Sequence, residues 1–260
     1  MGPPPTAEQI AFAEELAHES GKLIMGYFGR RLDVHRKADR TPVTVADREA
    51  EALLRRRIGQ RYPEHQVMGE EEGLSGPPQA DLRWVLDPID GTKTFIHGVP
   101  LFGTLIALLH EGEPVLGVIH LPATGELCVG ARGRPTRVNG APCRVTATAA
   151  LGEATMVVTS FTDLIRRGYG PAVRRLPERL GLVRSWGDCY GHFLVAAGRA
   201  DIMFDPILSP WDIAALRPCV EGAGGRLTDR EGRTLPLGES ALSTNGLLHD
   251  EVLALLRERD

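Results

Sequence analysis

The sequence places two carboxylates, a proline and a glycine directly after an apolar segment, where residues 87–92 read DPIDGT. The preceding residues 84–86 are typical of a buried strand, and Pro88 is expected to end that strand. Gly91 permits a sharp turn, after which a helix is expected to begin at Thr92. Two anions buried this close together are costly unless a cation neutralises them. The segment therefore predicts a cation site, beside helix amides that suit a phosphate.

Two further acidic segments are expected where strands end or helices begin, which is where α/β folds gather their functional sites. Residues 69–73 read GEEEG after a predicted strand, and residues 210–212 read PWD before a predicted helix. Taken alone, the glutamates are typical of a solvated surface and Asp212 of a helix N-terminus. Taken together, oxygen ligands without clustered histidines or thiols favour Mg²⁺. Two such ions can activate water against a phosphate ester.

The apolar pattern predicts a single unit, residues 1–260, with two lobes. The N-terminal lobe, about 1–140, has neighbouring strands that favour an antiparallel sheet with helices, an α+β arrangement. The C-terminal lobe, about 141–260, alternates strands with helices and favours an α/β arrangement. We expect the functional site to lie between the lobes.

The first predicted helix starts at a capping box formed by Thr6 and Gln9. Helices are predicted at residues 6–28, 45–59, 171–180, 189–198 and 213–222. Strands are predicted at residues 66–69, 83–86, 102–110, 114–121, 125–129, 155–159, 182–186 and 202–204.

Composition argues against several classes of protein. The chain has 30 Lys and Arg against 34 Asp and Glu, and it lacks the long basic stripe of a nucleic-acid-binding surface. No apolar run approaches the roughly 20 residues of a membrane-spanning helix, and no N-terminal signal peptide is recognisable. Four widely spaced cysteines without a C-x-x-C pattern predict reduced thiols and a cytoplasmic protein.

The combination and order of these segments resemble the inositol monophosphatase family of metal-dependent phosphatases. The run at residues 87–92 is a specific signature of that family, and residues 44–47 (TVAD) also match it. The resemblance extends from Lys37 to about Asp229. It implies a layered α/β/α/β/α sandwich of the inositol monophosphatase and fructose-1,6-bisphosphatase type. It also implies two or three Mg²⁺ ions per site and a homodimer.

The resemblance further implies a role for each acidic segment. The implied metal ligands are Glu70, Asp87, the carbonyl of Ile89, Asp90 and Asp212. Thr92 together with Asp47 is expected to orient and deprotonate the attacking water, and Glu71 is the alternative helper. The amides of Gly91 and Thr92 are expected to hold the phosphate.

Within the family, residues 87–109 and 186–191 most resemble the histidinol-phosphate phosphatase branch. Many inositol phosphatases have a small residue where this chain has Asp188. The resemblance implies hydrolysis of L-histidinol phosphate, a substrate whose ammonium and imidazole would favour an added carboxylate. Asp205 lies seven residues before Asp212, near a position where the family usually has an acidic residue that contacts the alcohol.

Several alternatives stay open from the sequence. Asp188 could cap the helix that follows it, bind substrate, or do both. The substrate could be inositol 1-phosphate, or another sugar or nucleotide phosphate. The haloacid dehalogenase-type phosphatases use Asp-x-Asp-Gly-Thr with an aspartate nucleophile, but here two residues separate the aspartates. A binding protein without turnover is disfavoured because the complete set of acidic residues is present.

Overall fold

The fold is described from a computed structural model. It describes residues 2–31, 34–36, 42–234 and 236–257. Residues 37–41, where the segment that resembles the family begins, lie outside the described residues.

Helices and strands follow the apolar segments of the chain. The α-helices are α1 (Ala7–Met25), α2 (Val45–Arg61), α3 (Thr92–Ile96), α4 (Phe161–Leu164), α5 (Gly170–Arg179), α6 (Asp188–Ala196), α7 (Pro210–Ile213), α8 (Leu216–Gly222) and α9 (His249–Arg257). The β-strands are β1 (His35–Arg36), β2 (Pro42–Val43), β3 (Gln66–Gly69), β4 (Gly73–Ser75), β5 (Leu82–Asp90), β6 (Gly103–His110), β7 (Glu113–Leu121), β8 (Glu126–Ala131), β9 (Arg137–Val138), β10 (Ala141–Pro142), β11 (Thr155–Val158), β12 (Leu182–Arg184), β13 (Ile202–Asp205), β14 (Arg226–Thr228) and β15 (Ala241–Thr244). Among the described residues, no helix has the length and apolar character needed to cross a membrane.

The capping box predicted at the start of α1 is confirmed. The backbone N–H of Gln9 donates to Thr6 Oγ1 over 3.1 Å, and that of Thr6 donates to Gln9 Oε1 over 2.9 Å. The predicted helix at 213–222 is wrong in outline, because it starts earlier, at Pro210, and is divided into α7 and α8.

The larger sheet has the strand order β10-β9-β8-β7-β6-β5-β3-β4. Its neighbours pair antiparallel except β3 and β5, which are parallel. Alternate side chains of β5 point to opposite faces, as a strand requires. Trp84 and Leu86 pack against α1 and α2, whereas Val85 packs in the core shared with α6 and α8. Two helices therefore cover one face of this sheet and two others cover the opposite face.

The smaller sheet has the strand order β12-β11-β13-β15-β14. Strand β11 is parallel to both of its neighbours, and β15 is antiparallel to β13 and β14. Val157 of β11 belongs to the core shared with α6 and α8, while Met156 and Val158 pack with α5 and α9. The predicted α/β/α/β/α sandwich is confirmed. The division into lobes near residue 140 stays a prediction.

Strand β5 does not end at Pro88, so that prediction is wrong. The strand continues to Asp90, and its register with β6 shifts between Asp87 and Asp90. Such a bulge leaves residues out of the ladder, so the missing N–H of Pro88 costs nothing there. The Pro88 carbonyl instead accepts from Thr104 Oγ1 over 2.8 Å. Residues three apart lie on opposite faces of a regular strand, so the bulge is what lets both carboxylates face one cavity.

Candidate active site

A cavity of about 570 Å³ opens where the ends of both sheets meet several helix starts. Its lining includes seven carboxylates, from Glu70, Asp87, Asp90, Asp163, Asp188, Asp205 and Asp212. These residues come from the turn after β3, the bulge of β5, the first residue of α6, the last residue of β13, and α4 and α7. Both sheets therefore contribute acidic groups to one site.

Three of these carboxylates form a compact group. One oxygen each from Asp87, Asp90 and Asp212 lies within 4.8 Å of the others. Burial, followed by repulsion from Glu70 and Asp90, raises the pKa of Asp87 well above its usual range. Burial also raises the pKa of Asp90 well above its usual range and that of Asp212 to about 7. Three anions held this closely favour either bound protons or a bound cation.

Each carboxylate of the group accepts a hydrogen bond from a backbone N–H, and the three N–H groups lie in three different parts of the chain. The N–H of Ile89, within the bulge, donates to Asp87 Oδ1 over 3.0 Å. The N–H of Cys189 in α6 donates to Asp90 Oδ2. The N–H of Ser209, just before α7, donates to Asp212 Oδ2 over 2.7 Å. The group is therefore held in place by the main chain before any ligand arrives.

The donor set fits a hard divalent cation. It consists of carboxylate oxygens, with Glu70 and Ile89 in the same cavity lining. Such ions prefer oxygen ligands, and a positive charge removes the repulsion among the acids. Glu70, Asp87, Asp90, Asp212 and the Ile89 carbonyl are thus the groups that could hold a metal cofactor.

Thr92 and Asp47 form a hydrogen-bonded pair beside this group. Thr92 Oγ1 lies 3.3 Å from Asp47 Oδ1 and 3.0 Å from the Ile89 carbonyl. The Thr44 N–H and Oγ1 donate to Asp47 Oδ2 over 2.8 and 2.6 Å, so the side chain is fixed by the capping box of α2. Burial raises the pKa of Asp47, although the bonds from Thr44 oppose that shift. The pair can therefore orient a water molecule and accept its proton.

Glu51 is a residue that the sequence did not single out. It is fully buried on α2, and its carboxylate accepts from the N–H groups of Glu71 and Glu72 over 2.7 and 3.0 Å. Arg55 Nε donates to the same carboxylate over 2.7 Å. A side chain at Gly69 would overlap with Glu51. Glu51 therefore holds the turn that carries Glu70 into the cavity. The available signal was a charged pair four residues apart on a helix.

We expect Glu51→Gln to weaken binding of Mg²⁺, used as the probe ion, by about 10-fold to 100-fold, as is typical when a supporting partner of a metal ligand is lost. The amide can accept from only one side, so one N–H of the turn loses its acceptor. Calorimetric titration measures the affinity without turnover. Glu64→Gln, which removes an exposed carboxylate, is the matched control. Equal affinity in both variants would contradict the positioning role.

Asp188 does not cap α6, so the capping alternative is wrong. Gly187 occupies the N-cap position, and Asp188 is the first helical residue, with a positive φ of 51°. Its carboxylate accepts from Thr94 Oγ1 over 3.3 Å and lines the cavity. Burial, followed by repulsion from Asp205, raises the pKa of Asp188 to about 6. The side chain is therefore available to a ligand in the cavity.

Asp205 is a buried carboxylate at the end of β13, with only 3% of its surface exposed. Its Oδ2 lies 3.3 Å from His192 Nε2, and His192 Nδ1 lies 2.7 Å from Ser243 Oγ. No well-aligned hydrogen bond to Asp205 Oδ2 is found in the described part of the protein. Asp188 and Asp205 are therefore acidic side chains of the cavity outside the group of Asp87, Asp90 and Asp212, which we call the metal-type group.

A sequence profile described as the inositol monophosphatase family matches residues 6–260. The chain belongs to this family.

Several relatives resemble the chain over nearly its whole length. The histidinol-phosphatase of Chlorobaculum parvum is 47% identical over 255 residues, which are 96% of this chain and 98% of the relative. The histidinol-phosphatase of Mycobacterium tuberculosis is 42% identical, with the same two coverages of 96% and 98%. The solved structure of the Thermotoga maritima IMPase is 32% identical, covers 96% of each chain and superposes with a TM-score of 0.88.

In this member of the inositol monophosphatase family, the sequence-predicted site residues mostly meet in one place. The cavity lining contains Glu70, Asp87, Ile89, Asp90, Gly91, Thr92, Asp188, Asp205 and Asp212. Asp47 lies behind Thr92, and Glu71, the alternative helper, does not line the cavity. Asp163 and Thr159 also line it and were not predicted.

Proposed function

We propose that the protein is a Mg²⁺-dependent phosphatase that hydrolyses L-histidinol phosphate to L-histidinol and phosphate, a reaction of histidine biosynthesis. One observation carries the proposal: two further carboxylates, Asp188 and Asp205, share the cavity of the metal-type group. A neutral alcohol does not need this excess of negative charge, whereas an ammonium ion is stabilised by it. Relatives named histidinol-phosphatase, at 42% and 47% identity, support the same substrate.

The metal-type carboxylates would hold Mg²⁺ together with Glu70 and the Ile89 carbonyl. When bound, Mg²⁺ neutralises the acidic groups and polarises the phosphate. The Thr92 hydroxyl donates to Asp47, which leaves its oxygen free to accept a proton from water. Water oxygen attacks phosphorus, and the water proton passes through Thr92 to Asp47. The bond from phosphorus to the alcohol oxygen breaks, and the alkoxide takes a proton from a second water molecule to give the free alcohol. Asp47 then returns its proton to the resulting hydroxide, which restores the site.

The first N–H groups of α3 have no helical acceptor, so those of Gly91 and Thr92 can bind phosphate oxygens. Gly91 adopts a φ of 87°, a conformation that favours glycine. A Cβ there would lie 3.1 Å from Asp188 Oδ2. The phosphate site and the proposed ammonium site are therefore adjacent in the protein. The phosphate and ammonium groups of a short amino alcohol phosphate are likewise close together.

We expect Asp188→Asn to lower kcat/KM for L-histidinol phosphate by about 10-fold to 100-fold, the usual loss of a charged hydrogen bond. Asparagine tolerates the positive φ at this position, so the backbone is preserved. Hydrolysis of inositol 1-phosphate, whose alcohol part carries no charge, should be nearly unchanged. Phosphate release from both esters measures the ratio, and Asp81→Asn, at an exposed aspartate, is the charge control. Equal losses with both esters would contradict an ammonium contact.

A substrate panel tests the proposed function as a whole. Phosphate release is measured from L-histidinol phosphate, inositol 1-phosphate, fructose 1,6-bisphosphate and adenosine 3′,5′-bisphosphate, with Mg²⁺ and with a chelator. We expect Mg²⁺-dependent activity with a clear preference for L-histidinol phosphate. A preference for inositol 1-phosphate would overturn the substrate, and a trapped phosphoaspartate would overturn the water nucleophile.

We also propose that the enzyme acts as a homodimer in the cytoplasm. The family resemblance supports the dimer, and four free cysteines suit a reducing compartment. Light scattering after size-exclusion chromatography measures the mass in solution. A monomer at assay concentration would contradict the dimer.

A further inference from the structure

A second cavity, of about 310 Å³, adjoins the candidate active site. We name it the side cavity, and its lining includes Lys93, Thr94, His97, Val99, Ser185 and Asp188. Lys93, Thr159 and Asp188 line both cavities. Asp188 thus marks the boundary between the metal-type group on one side and a separate volume on the other.

Asp188 occupies this boundary in a strained backbone conformation. Its φ of 51° is uncommon for a residue other than glycine. Its N–H donates to Thr159 Oγ1 over 2.7 Å, and its carboxylate accepts from Thr94 Oγ1. Backbone strain that is held by surrounding contacts is typical of functional positions. The contacts fix the carboxylate between the two cavities.

The side cavity offers a hydrogen-bond acceptor next to apolar and hydroxyl groups. His97 Nδ1 lies 2.7 Å from the Lys93 carbonyl, which can only accept, so Nδ1 carries the proton. In the neutral ring Nε2 is then an acceptor. Val99 is apolar and Ser185 has a hydroxyl that can donate or accept. This chemistry suits a small planar ring that has both N–H and ring nitrogen.

The order of groups in the proposed substrate matches the order of these sites. L-Histidinol phosphate carries its ammonium on the carbon between the phosphate-bearing carbon and the carbon that bears the imidazole. The Gly91 and Thr92 amides, Asp188 and the side cavity follow one another in the same order. A substrate with phosphate at α3 and ammonium at Asp188 would direct its ring beyond the boundary.

We propose that the side cavity is the subsite for the imidazole ring of the substrate, and that it makes the enzyme selective for this ring. This inference rests on the proposed function. His97 accepts from the ring N–H, Ser185 contacts the ring nitrogen, and Val99 packs on the ring. None of these three residues belongs to the metal-type group or to the Thr92–Asp47 pair.

The test compares two esters that differ only in the ring. L-Alaninol phosphate keeps the phosphate and the ammonium but has hydrogen in place of imidazole. Ser185→Trp fills the side cavity from an exposed position, and His97→Ala removes the acceptor. We expect each variant to lower the kcat/KM ratio of histidinol phosphate to alaninol phosphate by about tenfold. Hydrolysis of alaninol phosphate, which should be unchanged, reports that the variant is folded.

A control and a binding measurement complete the test. Leu247→Trp adds an exposed tryptophan elsewhere, at a leucine that is 64% exposed, and should leave the ratio unchanged. Saturation-transfer NMR on L-histidinol should show contact to the imidazole protons in the wild type and a loss in Ser185→Trp.

Each outcome separates the two proposals. An unchanged kcat/KM ratio, whether neither ester is affected or both are affected equally, would overturn the imidazole subsite and leave the proposed function intact. A wild type that hydrolyses histidinol phosphate no better than inositol 1-phosphate would overturn both.

Discussion

Asp90→Asn is expected to lower kcat by about 100-fold to 1,000-fold, as loss of a preorganised charge at a reacting phosphate does, and to make the metal-free protein more resistant to heat. Burial, followed by repulsion from Asp188 and Asp212, raises the pKa of Asp90 well above its usual range. The carboxylate is therefore tolerated only with a proton or a cation. Asparagine keeps the shape and can still accept from the Cys189 N–H, but it cannot neutralise a metal ion.

Phosphate release in the presence of Mg²⁺ measures the loss of kcat. Thermal unfolding in the presence of a chelator measures the heat resistance of the metal-free protein. The matched control is Asp201→Asn. Asp201 is also buried, but it accepts from Thr146 Oγ1 and from the Thr155 N–H over 2.7 Å, outside the candidate site. That variant should not become more heat-resistant. Near-normal turnover in Asp90→Asn would refute the metal assignment, and a lower melting temperature would refute the electrostatic argument.

Local sequence features predicted much of the fold and of the site. The DPIDGT run indicated neighbouring carboxylates beside a helix start, and α3 does begin at Thr92. The hairpin of β6 and β7 agrees closely with the predicted strands. These features depend on residues close in sequence, such as Gly91 at the turn. Helix α9 was missed although Val252, Leu253 and Leu256 give it an apolar face.

Other features depend on residues distant in sequence, and a single sequence does not display them. The bulge of β5 needs Thr104 of β6 as the partner of the Pro88 carbonyl. Glu51 is recognisable as a support for the glutamate turn only when α2 lies against that turn. Asp188 looked like a helix cap because acidic residues are common there. The structure places Gly187 at the N-cap instead, and the Asp188 carboxylate accepts from Thr94, 94 residues away.

The resistance to heat that Mg²⁺ confers is expected to increase steeply between pH 5 and pH 8. Burial raises the pKa of Asp212 to about 7 and that of Asp188 to about 6, against 3.8 for an ordinary aspartate. The folded metal-free protein therefore holds protons that the unfolded chain has already released. Stability is greatest at low pH and falls as the pH rises through the folded pKa values, because unfolding releases protons over this window.

Mg²⁺ would reverse that trend, because it replaces the protons as the neutralising charge. At pH 5 the ion must displace protons and stabilises little, whereas at pH 8 it binds carboxylates that repel one another. Thermal unfolding at a series of pH values, with Mg²⁺ or with a chelator, measures the difference. In Asp90→Asn both the loss of metal-free stability with pH and the gain from Mg²⁺ should be smaller. A gain from Mg²⁺ that is equal at every pH would mean that the buried acids do not exchange protons for metal, and the group of Asp87, Asp90 and Asp212 would then not be the metal site.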